Sequence, residues 1–151
     1  MLSFALSEQT LVPAQLSALL RDESCGALVT FEGWVRNFNE GKHVVRLDYE
    51  AYPELVATES QKILLEAVAL FECKSILSVH RVGQLSIADI AVWIGVVSVH
   101  RENAFKACQY VIDNLKLRLP IWKKEHYLND ETSWVNCEGC QKPAHQHRIL
   151  A

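Results

Sequence analysis

The sequence predicts a single-domain α+β fold with about three helices and a mostly antiparallel sheet. Three observations carry that prediction. Helical and strand-type periodicities are interleaved along 151 residues. The connection between the two most apolar strand segments is too short for a helical crossover. No internal repeat or low-complexity linker divides the chain. A chain of this length buries roughly 70% of its unfolded surface on folding, so one core suffices.

Each element has its own signal. Pro13 stands at a favourable first-turn position, and Leu16, Leu19 and Leu20 follow at helical spacing before Cys25-Gly26, which predicts a first helix. Residues 26–35 carry Leu28, Val29, Phe31, Trp34 and Val35, while residues 44–52 alternate Val45, Leu47, Tyr49 and Ala51 with polar neighbours. These read as strands on either side of a polar turn at 37–42. Pro53 opens a second helix that runs to about Cys73, with Ile63, Leu64, Ala67, Val68 and Phe71 on one face. Residues 75–82 and 91–99 are two further strands, and their short polar connection favours antiparallel pairing. A third helix spans 102–117, with Ala104, Phe105, Cys108, Val111, Ile112 and Leu115 on one face. Pro120 stops it. The residue before a proline prefers extended backbone, so residues 119–124 leave the helix as a strand.

Composition narrows the function classes. Half of the residues are hydrophobic and 22% are charged, the profile of an ordered globular protein. The net charge of -3 gives no global attraction to nucleic acid or to an anionic membrane, so neither is an expected partner. Any anion site must come from local clustering of the 15 Lys and Arg residues. Residues 1–20 include Glu8 and lack a basic leading region, which does not read as a signal peptide. The longest apolar run, residues 90–99, falls far short of the ~20 residues that span a bilayer and reads as a buried strand. Five cysteines, an odd number scattered through apolar segments, suit reduced thiols in the cytoplasm better than a disulfide framework.

Five side chains stand out as candidates for chemistry. Arg101 falls on the apolar stripe of the third helix and at the positive end of its dipole, so an anion is expected to compensate it; a neighbouring carboxylate such as Glu102 or Glu50 would do equally well. His100 ends a continuous apolar strand, where a histidine either faces a cleft or simply caps the element. Lys116 lies in the last turn of the third helix, which by itself suits a solvated lysine that complements the dipole. Lys123 follows beyond the Pro120 break. On a straight helix the two amines would be about 10 Å apart, but a returning strand can bring Lys123 back toward Lys116. Arg36, at a strand end before a polar turn, is either a generic surface charge or an anion ligand.

The segments GALVTFEGWVRN (26–37), HRVG (80–83), VSVHRENAFKA (97–107) and LKLRLPIWKKE (115–125) resemble, in order and spacing, the large subunit of molybdopterin synthase, the MoaE family. The resemblance runs from about residue 26 to 135. It implies an α/β hammerhead-type domain over residues 1–135 that forms a homodimer, and a heterotetramer with two copies of a small ubiquitin-like sulfur carrier. The carrier's C-terminal Gly-Gly tail bears a thiocarboxylate. The implied reaction is sulfur transfer to cyclic pyranopterin monophosphate, giving molybdopterin in molybdenum cofactor biosynthesis, with no bound cofactor. On matching positions the resemblance implies that Arg36, His100 and Arg101 bind the substrate, that Lys116 and Lys123 are catalytic, and that Phe31 lies near the carrier tail.

Physical chemistry is consistent with those roles. Phosphate and thiocarboxylate are both anionic, and a chain of net negative charge needs a concentrated cationic pocket to take them. The planar fork of arginine donates two parallel hydrogen bonds to a phosphate, and acyl transfer needs a donor where oxyanion charge develops. Lys116 would meet the carrier's terminal carbonyl as covalent acceptor or as oxyanion stabiliser. Lys123 would orient the substrate or move protons.

The chain departs from the family pattern at two places. Ala88-Asp89 replaces a usual Gly-Asp pair, which puts alanine in a turn where positive φ costs it more than glycine. Residues 136–151 form a tail with Cys137, Cys140, His145 and His147 where relatives place an arginine. Those four side chains could hold a tetrahedral zinc, the two cysteines could form a reversible disulfide, or the segment is a plain chain end.

Overall fold

In a computed structural model that describes residues 1–129 and 131–135, the chain folds into two sheets with helices on both faces of the first. The elements run β1 (Leu2–Ser7), α1 (Pro13–Ala18), β2 (Ala27–Trp34), β3 (Phe38–Asn39), β4 (Lys42–Ala51), α2 (Pro53–Phe71), β5 (Ser75–Arg81), β6 (Gly83–Ser86), β7 (Ile90–Ser98), α3 (Arg101–Arg118), β8 (Ile121–Tyr127) and β9 (Thr132–Val135). The first sheet has the order β1-β5-β7-β2 and is antiparallel except for the parallel β1–β5 pair. The second joins β3, β4, β8 and β9, with β6 on the open side of β4. The α+β class, the mostly antiparallel pairing and the three helices of the sequence reading are all present, and β5 pairs antiparallel with β7 as expected.

Burial explains why β7 is apolar without interruption. On one face, Val92, Ile94 and Val96 pack under Ile63, Leu64 and Ala67 of α2 and Ala104, Val111 and Leu115 of α3. On the other, Trp93 and Val97 meet Leu11 and Leu20, beside α1. A strand covered on both sides cannot alternate polar with apolar. A third cluster, Val35, Val44, Leu47, Leu85, Ala91 and Tyr127, lies under the second sheet and joins it to the first.

The sequence expectations differ from this architecture in local ways. The first helix ends at Ala18 rather than near Cys25, so Leu19 is exposed while Leu20 turns inward. The strands around the 37–42 turn go to different sheets, β2 to β7 and β4 to β6 and β8. A bulge between Val44 and Arg46 shifts the phase of β4, so Val44 is buried and Val45 faces solvent. Strands β1, β3, β6 and β9 have no counterpart among the elements that the sequence predicts.

Three connections pass between the sheets without a helix, β2 to β3, β5 to β6 and β6 to β7, and each is pinned. After β2, the Val35 amide donates to the Asp89 carbonyl and the Ala88 amide donates to the Val35 carbonyl. After β5, Arg81 reaches Asp89 at 2.9 Å, and Gly83 bends the chain into β6 with φ 86°. Asp89 also accepts from the Ser86 amide, which closes the β6–β7 turn. Within that turn Ala88 adopts φ 70°, the left-handed region that the Ala-for-Gly departure had put in question. An alanine there carries steric strain of roughly 1–2 kcal/mol, partly offset by its smaller unfolded-state entropy. Ala88→Gly is therefore expected to stabilise the fold by about 0.5–1 kcal/mol. That is a rise of roughly 2–4 °C in Tm at most, readable by calorimetry.

Candidate active site

A cavity of about 230 Å³ opens where the foot of α3, the return strand β8 and the β2–β3 connection converge. Its wall includes Gly33, Arg36, Asn39, Tyr49, His80, Ile112, Leu115, Lys116, Leu119, Ile121 and Lys123. The Pro120 break produces this geometry. Leu119 leaves the helix in extended conformation (ψ 134°), and β8 then runs antiparallel to β4, so Lys123 returns to the side of Lys116. Glycine at position 33 lets the wall pack closely, because a Cβ there would come within 2.6 Å of the Val92 side chain and force it to shift.

One face of β8 supplies the polar floor. Alternation along Ile121, Lys123, Glu125 and Tyr127 places these residues side by side, opposite Ala51, Tyr49, Leu47 and Val44 of β4. Glu125 is only 2% exposed, yet its carboxylate meets three donors. Lys123 Nζ lies 3.2 Å from one carboxylate oxygen. The Asn39 amide donates to both oxygens at 3.0 and 3.2 Å, and the Tyr127 hydroxyl donates at 2.8 Å. Burial, reinforced by this bond to Glu125, pushes the Tyr127 phenol up to about 12, so it stays a donor through the physiological range. The Asn39 side-chain oxygen in turn accepts from Arg36 at 3.3 Å. Arg36, Asn39, Glu125 and Lys123 thus form one chain of contacts that fixes two cations on the cavity wall.

Of the residues singled out from the sequence, the structure brings Arg36, Lys116 and Lys123 into this one cavity. Phe31 packs against the helix–sheet core on the same face of β2 as Gly33, two residues from the wall. His100 and Arg101 lie elsewhere. They sit at the N-cap and first position of α3, both exposed, about 22 Å along the helix from Lys116 at ~1.5 Å per residue. The buried stripe of α3 begins at Ala104, so Arg101 precedes it. Neither carboxylate considered for Arg101 takes it up as an ion pair: Glu102 bonds Lys106 at 2.6 Å instead. Cys137, Cys140, His145 and His147 lie outside the described residues. Among the described residues, no group of three or more His, Cys, Asp or Glu side chains is arranged to hold a metal ion.

The sequence reading missed Asn39, Tyr49, His80, Glu125 and Tyr127 as parts of the site. For β8 a signal existed: Ile121 and Tyr127 mark an inward face, and Lys123 and Glu125 stand between them at the same period. Two opposite charges at inward positions of an apolar face point to a buried pair.

Fold and site together define a two-sheet α+β protein with a cavity at the foot of its last helix that Arg36, Lys116 and Lys123 line together with Glu40. The chain belongs to the MoaE family, whose model, described as "MoaE protein", matches residues 6–118. It is 36% identical over 141 residues to the molybdopterin synthase catalytic subunit of Nostoc sp., covering 93% of this chain and 86% of that protein. The crystal structure of molybdopterin synthase from Staphylococcus aureus superposes with a TM-score of 0.81 at 35% identity, covering 86% of this chain and 94% of that one. A complex of subunits 1 and 2 of the molybdopterin-converting factor from Helicobacter pylori shares the fold, with a TM-score of 0.73 at 21% identity, over 98% of this chain and 99% of that one.

Proposed function

We propose that this chain is the catalytic subunit of a molybdopterin synthase, a cytoplasmic sulfurtransferase. It would convert cyclic pyranopterin monophosphate to molybdopterin, with the C-terminal thiocarboxylate of a small ubiquitin-like carrier as sulfur donor. The observation that carries this reading is the gathering of Arg36, Lys116 and Lys123, distant in sequence, around one cavity. In a chain of net charge -3, that local excess of cations suits two anionic guests. Arg36, steadied by Asn39, offers a fork to the phosphate. Lys123, ion-paired to a buried carboxylate, is the fixed cation that orients the substrate. Lys116, at the exposed end of α3, is the amine that meets the carrier's terminal carbonyl.

His100 and Arg101 of the same chain stand too far away to share that substrate. A homodimer removes the difficulty if a second copy places its own α3 N-terminus at the cavity mouth, and a carrier on each copy then gives the heterotetramer. Reconstitution of the full chain with thiocarboxylated carrier and the cyclic phosphate tests both levels of the proposal. The wild type forms the dithiolene product; Arg101→Ala and Lys116→Ala chains are each nearly inactive. Mixed after unfolding and refolding together, they recover about a quarter of wild-type activity, because half of the dimers are mixed and each of these restores one of two sites. Absence of product with the wild type rejects the activity. Absence of recovery on mixing rejects the shared site.

A further inference from the structure

The HRVG segment is only partly explained by the fold. Arg81 and Gly83 serve the passage between sheets, but His80 does not. It sits at the end of β5 opposite Val92, and its ring lines the cavity. Nδ1 lies 2.8 Å from the Arg81 carbonyl oxygen. A carbonyl can only accept, so Nδ1 carries the proton and Nε2 presents a lone pair. The ring is held edge-on against Tyr49, with centroids 4.9 Å apart and planes at 74°, which fixes its orientation. Burial pushes the imidazole down to about 4, the bond to the Arg81 carbonyl opposing only in part, so this tautomer persists at neutral pH. Nε2 has no hydrogen-bond partner among the described residues. A cavity wall furnished with Arg36, Lys116 and Lys123 thus also carries a rigid, uncharged acceptor.

We propose that His80 is a specificity-determining residue whose Nε2 accepts a hydrogen bond from an N–H or O–H donor on the uncharged heterocyclic part of the substrate, while Arg36 and Lys123 take its anionic part. Cations alone would hold any phosphate of suitable size. An oriented acceptor rejects molecules that lack the matching donor, because a bound molecule would then cover the lone pair and leave it without a partner. This inference rests on the molybdopterin synthase reading given above.

The test uses the full chain with thiocarboxylated carrier and three variants. In His80→Asn the amide nitrogen stands in for Nδ1 but nothing replaces Nε2, and His80→Phe keeps the packing on Tyr49 without either nitrogen. In His80→Gln the longer side chain carries its amide oxygen out to the place of Nε2. The expected result is a KM for the cyclic pterin phosphate raised about tenfold in His80→Asn and His80→Phe, and within about threefold of wild type in His80→Gln. Inhibition by inorganic phosphate, which reads only the cations, stays unchanged in all three; a collapsed cavity would change it too. Should either His80→Asn or His80→Phe fail to fold, the other carries the comparison with His80→Gln. Wild-type KM in the folded variants, or a Gln variant no better than the other two, overturns the role of His80 while leaving the enzymatic reading intact. If the wild type itself makes no product, the reading fails and the role of His80 goes with it.

Discussion

Replacing Lys116 with alanine is expected to slow single-turnover sulfur transfer from the thiocarboxylated carrier by at least about a hundredfold, the usual cost of removing a group that acts on the reacting carbonyl. The expectation follows from position. Lys116 is in the last turn of α3, at the edge of the cavity that Arg36 and Lys123 also line. The fold should not suffer, because the Lys116 side chain is exposed and the buried contacts of that turn come from Ile112 and Leu115. Rapid-quench measurement of product alongside a thermal melt separates the two effects. A Lys116→Ala chain with wild-type transfer would remove this residue from the chemistry.

The second large effect is expected at Glu125. Truncation to alanine leaves the Lys123 ammonium, the Asn39 amide and the Tyr127 hydroxyl without their common acceptor, in a place that is 2% exposed. Breaking a buried ion pair from one side costs about 3–5 kcal/mol, most of it the penalty of leaving the other partner uncompensated. For a domain of this size that lowers Tm by on the order of 10 °C. Glu125→Gln retains an acceptor oxygen for Asn39 or Tyr127 and should lose markedly less stability, but it releases Lys123 and should raise KM for the substrate. Chemical denaturation of the two variants decides the matter. A loss below about 1 kcal/mol for Glu125→Ala would mean that the carboxylate is not the hub that its contacts describe.

Much of this was legible in the sequence, for identifiable reasons. Helices α2 and α3 are long and amphipathic, and β7 is apolar because it is covered on both faces, so periodicity alone located them. Strand β1 gave no such signal: it is an edge strand, mostly half-buried, whose parallel partner β5 lies some seventy residues away. Strand β6 buries only Leu85, too little for a pattern. At the site, Pro120 announced the reversal that returns Lys123 to Lys116, but no local feature told that Arg36 would join them. That depends on how the β2–β3 connection crosses between sheets, a matter of tertiary hydrogen bonds from Val35 and Ala88. The place of His100 and Arg101, a full helix length from the cavity, was likewise invisible in their proximity to α3. His80 escaped notice because a lone histidine in a strand is ordinarily a packed one, and only the direction of its Nδ1 bond sets it apart.

The most direct measurement is a crystal structure of the full chain with cyclic pyranopterin monophosphate bound. The phosphate is expected within hydrogen-bonding distance of Arg36 and at least one of Lys116 and Lys123, with the heterocycle lying along the wall that His80 and Tyr49 form. Substrate bound at any other place on the chain, with the space between α3 and β8 left empty, would contradict the assignment of this cavity as the active site.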